Sequence, residues 1–389
     1  MTIALVLPQP PGYSETFFRS KIKGLQESGH QVILVTATTD QKFEGCQHLQ
    51  HPKVHKNPVI QLTRMLCVLL GLLPILSVVL KYIQLERKDG SSFKRLVEKL
   101  YINATLLKLN TDWLHFGFAT MAIDRESVAK AIGAKLAVSF RGYDIGVYPL
   151  KHPECYARLW KYVDKVHVIS DDLYQKALSH GLSPNTRFKK VTPAINIEQF
   201  KDEETVNLNK SKELNILTIG RLHWKKGFVD TLEALSLLKK GNVKFKYRII
   251  GVGKDYERIA FAAHQLDLKD EVVFLGKLNH QEVKQELVKA DLYLQYSIQE
   301  GFCNSVLEAQ ALGKLCVVSD AEGLSENILD KQTGWVVPKG QPKLLVEQII
   351  KTSNLPDDQK LKIQGQAQKR VKQIFGLENQ KKAFVEFYN

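Results

Sequence analysis

The chain has 389 residues, enough for two domains of ordinary size, and 44% of them are apolar, which excludes a disordered protein. Its 55 lysines and arginines exceed its 41 aspartates and glutamates, which gives a formal net charge of +14. The five cysteines are scattered and include no Cys-x-x-Cys pair, which argues against a disulfide framework or a structural zinc site and favours reduced thiols in the cytoplasm.

The excess of positive charge lies mainly in the N-terminal half. Residues 1–200 carry 26 basic and 16 acidic side chains, a balance of +10, whereas residues 201–389 carry 29 and 25, a balance of +4. This asymmetry favours an anionic partner, such as the inner membrane surface or an anionic glycan, with a merely solubilising surface as the alternative. Because the sequence contains no aromatic–basic recognition motif, we expect no nucleic-acid partner.

Short apolar runs alternate with longer stretches of helical spacing along the chain. The runs are residues 3–7, 32–35, 113–116, 136–140, 166–169, 216–219, 247–250, 272–275, 292–294 and 315–318. Helical spacing is found over residues 14–27, 357–375 and 377–388. Runs that are apolar on both faces are typical of buried parallel strands, and helical segments between them are typical of crossover connections. The pattern predicts an α/β fold with two doubly wound domains, each built on a parallel sheet.

A polar stretch separates the two predicted domains. Pro193 follows an extended segment, and residues 201–212 are highly polar without apolar periodicity. We therefore predict an N-terminal domain over residues 1–195, a C-terminal domain over residues 196–370 and a final segment over residues 371–389.

One apolar segment of the N-terminal domain does not fit this alternation. Residues 65–80 contain a single polar residue, Ser77, and are flanked by Arg64 and Lys81. The segment is shorter than the roughly 20 residues that a membrane-spanning helix needs, and Pro74 interrupts it. It is interpreted either as a buried core helix or as a segment lying in a membrane interface, and the basic residues that follow favour the membrane.

The most informative motif of the C-terminal domain is residues 299–313, which follow a predicted strand. Ligands bind at this end of the strands in open α/β sheets, and a helix start near Asn304 or Ser305 would hold a phosphate through its free N–H groups. Glu300 and Glu308 could bind different hydroxyls of one ligand. Alternatively, Ser305 and Glu308 form a helix capping box.

A second motif, Gly220-Arg221-Leu222-His223-Trp224-Lys225-Lys226-Gly227, follows the strand at 216–219. Arg221 and Lys226 could converge on a diphosphate, since arginine offers a fork of donors and lysine a compact charge. The alternative is an ordinary charged loop at a helix start. The sequence contains no His-Glu-x-x-His, Asp-x-Asp or calcium-loop motif, so we expect no metal ion. We expect Arg221 and Lys226 to neutralise the diphosphate in its place.

Taken in the order in which they occur along the chain, these motifs resemble family 4 of the retaining glycosyltransferases, which have the GT-B fold. The resemblance also includes residues 251–253, 273–276, 326 and 333–334, and it covers nearly all of the C-terminal domain. In the N-terminal domain, residues 14–17 and 114–117 are similar to the subset that builds bacterial exopolysaccharides and lipopolysaccharides.

The resemblance implies two Rossmann-like domains with an interdomain cleft, and a C-terminal helix that packs back on the N-terminal domain. It implies retaining transfer from a UDP- or GDP-sugar donor to a glycan or lipid-linked acceptor, in the cytoplasm or at the cytoplasmic face of the membrane. No cofactor beyond the donor is expected. The alternatives are a nucleotide-sugar epimerase and a non-catalytic nucleotide-sugar- or glycan-binding protein on the same scaffold.

The resemblance also implies a role for each candidate residue. Glu308 would hold the ribose hydroxyls and Glu300 those of the donor sugar, while Arg221 and Lys226 would neutralise the diphosphate. The remaining predicted contacts are Gly12, Arg141, Gly251, Lys277, Leu278, Phe302, Cys303, Asn304, Ser305 and Val306. Arg141 stands where many relatives have a histidine, and because arginine cannot act as a base it would stabilise phosphate charge instead. His115 either contacts a substrate or is hydrogen bonded within the protein.

Overall fold

The computed structural model describes residues 1–12, 16–200 and 213–389. They form two compact units, the first comprising Met1–Val191 and Gln380–Asn389 and the second comprising Thr192–Asn379. The first unit therefore contains both ends of the chain. The start of the predicted first helix, with Ser14 and Glu15, and the predicted polar linker over 201–212 lie outside the described residues.

The first unit is built on a seven-stranded parallel sheet. Its strands are β1 (Thr2–Val6), β2 (Gln31–Thr36), β3 (Gln47–Gln50), β4 (Trp113–Phe116), β5 (Lys135–Phe140), β6 (Lys165–Val168) and β7 (Arg187–Lys190). They lie in the order β3-β2-β1-β4-β5-β6-β7. The central strands β1 and β4 pair with Leu5 opposite His115 and are buried on both faces, as their apolar sequences require.

Helices connect these strands. They are α1 (Thr16–Glu27), α2 (Pro58–Leu70), α3 (Leu76–Lys88), α4 (Phe93–Leu107), α5 (Val128–Ile132), α6 (Tyr143–Gly146), α7 (Tyr148–Lys151) and α8 (Asp171–Ser179). Local sequence fixes several helix starts. The Asn57 side chain accepts a hydrogen bond from the amide of Val59 at 2.9 Å, and Pro58 occupies the first turn of α2.

The second unit is built on a six-stranded parallel sheet. Its strands are β8 (Leu214–Ile219), β9 (Phe245–Ile250), β10 (Val272–Gly276), β11 (Leu292–Gln295), β12 (Leu315–Ser319) and β13 (Trp335–Val337), in the order β10-β9-β8-β11-β12-β13. Its helices are α9 (Phe228–Lys240), α10 (Tyr256–Gln265), α11 (His280–Lys289), α12 (Asn304–Ala311), α13 (Pro342–Ser353) and α14 (Asp357–Ile374). The strand order reverses between β8 and β11, which is the position where open α/β sheets bind ligands.

The two sheets confirm the predicted α/β fold with two doubly wound parallel domains. Each of the ten predicted apolar runs overlaps a strand, and the predicted helix at 357–375 is α14. Strands β3, β7 and β13, which lie at the edges of the two sheets, were not predicted.

The last helix, α15 (Leu377–Tyr388), contributes to the core of the first unit. Phe384 and Phe387 are fully buried there, with Phe17 and Trp113 among their neighbours in the same cluster. The ring centroids of Phe17 and Phe384 lie 5.4 Å apart in an edge-to-face arrangement. Burial of such rings stabilises the unit by about 1.5–3 kcal/mol each.

The apolar segment at 65–80 forms the end of α2, a short 3-10 turn and the start of α3. Helix α2 has no buried residue, so the interpretation of a buried core helix is wrong for this part of the segment. No single helix in the described parts of the chain is long and apolar enough to span a membrane. The pair Pro58–Leu70 and Leu73–Lys88, bent by 46°, meets that criterion only jointly, by length and composition.

Candidate active site

The loops that follow β8, β9, β10 and β11 all leave the same edge of the second sheet, because the four strands are parallel. These loops carry Arg221, Lys226, Gly251, Lys277, Leu278, Glu300 and the start of α12. The predicted site residues of the second unit are therefore brought to one edge, beside the reversal of strand order.

Two glycines let these loops approach one another closely. Gly227 has a φ of +63°, and a Cβ at this position would lie 2.0 Å from the carbonyl oxygen of Tyr296. Gly251 has a φ of +143°, and a Cβ there would lie 2.0 Å from the carbonyl oxygen of Gly220. Because no side chain fits at such distances, both positions require glycine. These glycines allow the loop that carries Arg221 and Lys226 to pack against the neighbouring loops.

A largely buried ion pair lies at this edge. The Lys226 ammonium pairs with the Glu300 carboxylate, and their side chains are only 19% and 16% exposed. Burial opposes the charged form of lysine, but the carboxylate of Glu300 outweighs this effect and raises the pKa of Lys226. Lys226 therefore keeps its positive charge below the surface. Two residues predicted to bind separate parts of a ligand are in direct contact with each other.

Helix α12 begins at Asn304, which confirms the predicted helix start. The residue before it, Cys303, gives no side-chain cap. The hydroxyl of Ser305 instead lies 2.7 Å from that of Tyr293, so the capping-box interpretation of Ser305 and Glu308 is wrong. Without a side-chain cap, the amide groups and positive end of the helix are suited to meet an anion.

Glu308 lies one turn into α12 and is largely buried. Within the described parts of the chain its carboxylate makes no hydrogen bond or ion pair. Burial raises the pKa of this carboxyl group to about 7. A carboxylate in such surroundings would be satisfied by ligand hydroxyls, and a shift of this kind is typical of functional sites.

The other predicted residues of this edge fall into two groups. Arg221 is exposed, and its positive charge, like burial, opposes the rise in the pKa of Lys226. Phe302, Cys303 and Val306 have buried side chains, so only their backbones could meet a ligand. Asn304, Ser305 and Leu278 are partly exposed, and Lys277 is exposed.

Gly12 and Arg141 belong to the first unit. The carbonyl oxygen of Gly12 accepts a hydrogen bond from Nε of Arg19 at 3.1 Å. The guanidinium of Arg141 lies over the rings of Phe17 and Phe18, at 3.9 and 4.7 Å from their centroids. Both residues follow strands of the first sheet, and their contact with a ligand stays a prediction.

His115 is fully buried and hydrogen bonded within the protein, so the second of its two interpretations is correct. Its Nε2 lies 2.8 Å from the Ser139 hydroxyl, and its Nδ1 lies 2.6 Å from the Tyr388 hydroxyl and 3.2 Å from Nζ of Lys21. Burial, and then the neighbouring Lys21, lower the pKa of His115. The residue fastens the C-terminal helix to the first sheet.

The loop that carries Glu300 and Cys303 is held in place by two residues, Glu322 and Asn327, that were not predicted. A carboxylate oxygen of Glu322 accepts a hydrogen bond from the amide of Glu300 at 2.9 Å. The side chain of Asn327 accepts from the amide of Cys303 at 3.1 Å and donates to its carbonyl at 2.9 Å. They lie more than 20 residues further along the chain than their partners, so no local motif could have indicated these contacts.

Known proteins resemble this chain in sequence and in fold. Residues 199–370 match the family described as glycosyl transferases group 1. The amylovoran biosynthesis glycosyltransferase AmsK of Erwinia amylovora is 29% identical over 248 residues, which span 62% of this chain and 60% of AmsK. WcaL of Escherichia coli, named provisionally as a colanic acid biosynthesis glycosyltransferase, is 28% identical over 281 residues, which span 70% of this chain and 68% of WcaL.

Solved structures extend the likeness to the whole chain. A glycosyltransferase from Rickettsia africae has a TM-score of 0.71 at 21% identity, covering 100% of this chain and 97% of its own. Anabaena HepE, solved in complex with UDP and glucose, has a TM-score of 0.71 at 16% identity, covering 99% and 98%. Structural matches at such low sequence identity establish the fold alone. The chain thus has the GT-B fold, its residues 199–370 match the group 1 glycosyltransferases, and it is similar to glycosyltransferases of bacterial polysaccharide biosynthesis.

Proposed function

We propose that this protein transfers a sugar, with retention of configuration, from a UDP- or GDP-sugar to a hydroxyl of a glycan or lipid-linked acceptor. The observation that carries this proposal is the largely buried Lys226–Glu300 pair beside the uncapped start of α12. A cation that stays charged below the surface, next to a helix N-terminus, suits a bound diphosphate.

The proposed chemistry depends on stabilising the leaving group. As the bond between sugar and diphosphate breaks, negative charge develops on the phosphate that departs. Lys226, Arg221 and the first amides of α12 would meet this charge in positions fixed before the reaction. Glu300 would keep Lys226 charged and accept a hydrogen bond from a hydroxyl of the donor sugar.

No protein base is needed in this scheme. The departing diphosphate would take the proton of the acceptor hydroxyl while the sugar develops oxocarbenium character. The first-unit residues considered for substrate contact do not supply a base, since Arg141 stays protonated and His115 is fully buried. The protein would then act mainly by positioning the two substrates and by electrostatic stabilisation.

We expect transfer to be independent of a metal ion. Within residues 1–12, 16–200 and 213–389, no group of three or more histidine, cysteine, aspartate or glutamate side chains could hold one. Activity in excess chelator should equal that of the untreated enzyme. Loss on chelation, with recovery on addition of Mg²⁺ or Mn²⁺, would contradict the role given to the basic pair.

Nucleotide-sugar binding followed by transfer tests the proposal. UDP-, GDP- and ADP-sugars are screened for thermal stabilisation, because a ligand that binds only the folded state raises the melting temperature. With the donor so identified, Lys226→Ala should lower kcat by about 10²- to 10³-fold, the usual cost of one charge-stabilising donor.

Lys240→Ala, an exposed lysine at the end of α9, is the matched control and should leave kcat unchanged. Equal turnover of Lys226→Ala and wild type would refute the assigned role. Stabilisation by a nucleotide sugar without transfer to any acceptor would instead favour a non-catalytic binding protein.

A further inference from the structure

The bent α2–α3 pair, residues 58–88, presents a series of apolar side chains to solvent. This apolar stripe consists of Val59, Ile60, Leu62, Leu66, Leu70, Leu73, Leu76 and Leu80, whose side chains are between 46% and 69% exposed. Within α2, four of its members recur every three or four residues and therefore share one side of the helix. An exposed apolar surface of this extent is typical of an interaction site.

The buried side of α3 is hydrogen bonded to the rest of the first unit. The Tyr82 hydroxyl accepts a hydrogen bond from Nδ2 of Asn103 at 3.0 Å. The buried carboxylate of Glu86 accepts from Nζ of Lys99 at 2.9 Å and from the Ser127 hydroxyl at 2.5 Å. To cross a bilayer, the α2–α3 pair would have to break these buried contacts. Its geometry therefore fits a surface against which α2 lies flat.

The charged residues in the segment that contains the apolar stripe are all basic. Residues 45–85 contain no aspartate or glutamate. Lys53, Lys56, Arg64 and Lys81 are exposed, and the ammonium of Lys108 lies beside Gly71 in the turn between the two helices. Pairing of two copies through this surface would bring like charges together. An anionic lipid surface would be attracted by the same charges, about fivefold in partition for each cation.

We propose that the bent α2–α3 pair is a membrane-docking surface that inserts the apolar stripe into the interface of an anionic bilayer, with the surrounding cations among the lipid headgroups. Apolar insertion and electrostatic attraction together give the two signals that stable peripheral anchoring requires. This inference does not depend on the donor or on the transfer reaction, so it can fail or succeed separately from the proposed function.

Vesicle flotation with the full chain tests the proposal. The protein should float with phosphatidylcholine vesicles containing about one third phosphatidylglycerol, and less with pure phosphatidylcholine, with binding that weakens as salt concentration rises. The triple variant Leu62→Ser/Leu66→Ser/Leu70→Ser should bind at least about tenfold more weakly. The control Leu329→Ser/Leu344→Ser/Leu361→Ser changes exposed leucines of the second unit and should bind as wild type.

Charge is tested separately with Arg64→Gln/Lys81→Gln. This variant should lose about 30-fold in partition to anionic vesicles and keep its weaker binding to neutral ones. If the triple serine variant loses its thermal transition, Leu62→Ser and Leu66→Ser are measured singly, each with an expected loss of about fivefold.

Three results would overturn the proposal. The first is that wild-type protein stays in the soluble fraction with every vesicle. The second is flotation of the triple variant equal to that of wild type. The third is a concentration-dependent dimer in sedimentation that the triple variant abolishes, which would assign the apolar stripe to a second copy of the chain.

Discussion

Lys226 and Glu300 act as one unit at the carboxyl edge of the second sheet. Burial alone lowers the pKa of a lysine, and the carboxylate of Glu300 reverses this effect for Lys226. Removal of Glu300 would therefore lower the pKa of Lys226 and would also remove the proposed contact with a donor sugar. For this reason the effects of substituting both residues should be less than additive.

The titration of Glu308 gives a prediction for stability and binding together. Burial raises the pKa of this carboxyl from its usual value of 4.5 to about 7. Because the folded-state pKa lies above the unfolded value, ionisation of Glu308 costs stability increasingly as the pH rises from 4.5 through 7. Glu308→Gln should raise the free energy of unfolding at pH 8 by about 1–3 kcal/mol, measured by urea titration.

The same substitution should weaken nucleotide-sugar binding at pH 8, where the ionised carboxylate would accept the ribose hydroxyls. Wild-type affinity should rise between pH 6 and pH 8, and the affinity of Glu308→Gln should not. Glu233→Gln, an exposed position on α9, is the control. A Glu308→Gln enzyme that is no more stable and binds as tightly as wild type would remove this residue from the site.

At the scale of elements, Glu86 joins α3 to its neighbours. Burial favours the neutral carboxyl, but hydrogen bonds from Arg158, Ser127 and Lys99 outweigh it and lower the pKa of Glu86 to about 2. The resulting stabilisation is present above pH 4.5 and is lost as the pH falls towards 2.

Glu86→Gln should therefore lower the free energy of unfolding of the first unit by about 3–5 kcal/mol at pH 7, because two cations lose their buried carboxylate. It should also flatten the decline in stability below pH 5. Glu98→Gln removes a partly exposed partner of Arg95 and should cost less than about 1 kcal/mol. Parallel acid profiles for wild type and Glu86→Gln would contradict this assignment.

The elements that could be predicted are those with a strong apolar signal. Central strands such as β1 and β4 are buried on both faces, so apart from Thr2 and His115 their sequences are apolar. The edge strands β3 and β7 read Gln-His-Leu-Gln and Arg-Phe-Lys-Lys, because one side of an edge strand faces solvent and tolerates charge. Strand β13 has only three residues, too few for a pattern.

The candidate site was predictable where chemistry lies in short motifs. Lys226 and Glu300 were identified separately, but their contact was not, since 74 residues separate them. The capping box failed because Ser305 is drawn towards the hydroxyl of Tyr293 on the preceding strand. Such tertiary hydrogen bonds override a local sequence signal, and spacing along one chain does not reveal them.

At the scale of the whole molecule, α15 completes the hydrophobic core of the first unit. Phe384 is fully buried in the core of that unit, whereas Phe261 on α10 is 60% exposed. Phe384→Ala should lower the free energy of unfolding by about 3–5 kcal/mol. Phe261→Ala, the matched control, should change it by less than about 0.5 kcal/mol.

Calorimetry measures both variants. The transition of the first unit should move to lower temperature in Phe384→Ala, while that of the second unit, Thr192–Asn379, stays in place. Equal melting profiles for the two phenylalanine variants would show that the C-terminal helix is dispensable.

The core of the first unit is built from two parts of the chain, Met1–Val191 and Gln380–Asn389, and this has a consequence during synthesis on the ribosome. Its first 191 residues emerge early, but the aromatic side chains of α15 emerge only after the second unit. The second unit is continuous in sequence, from Thr192 to Asn379. Nascent domains usually fold in the order in which they are translated. In this chain the first unit can complete its apolar interior only after the second unit has been translated, because Phe384 and Phe387 follow it in sequence.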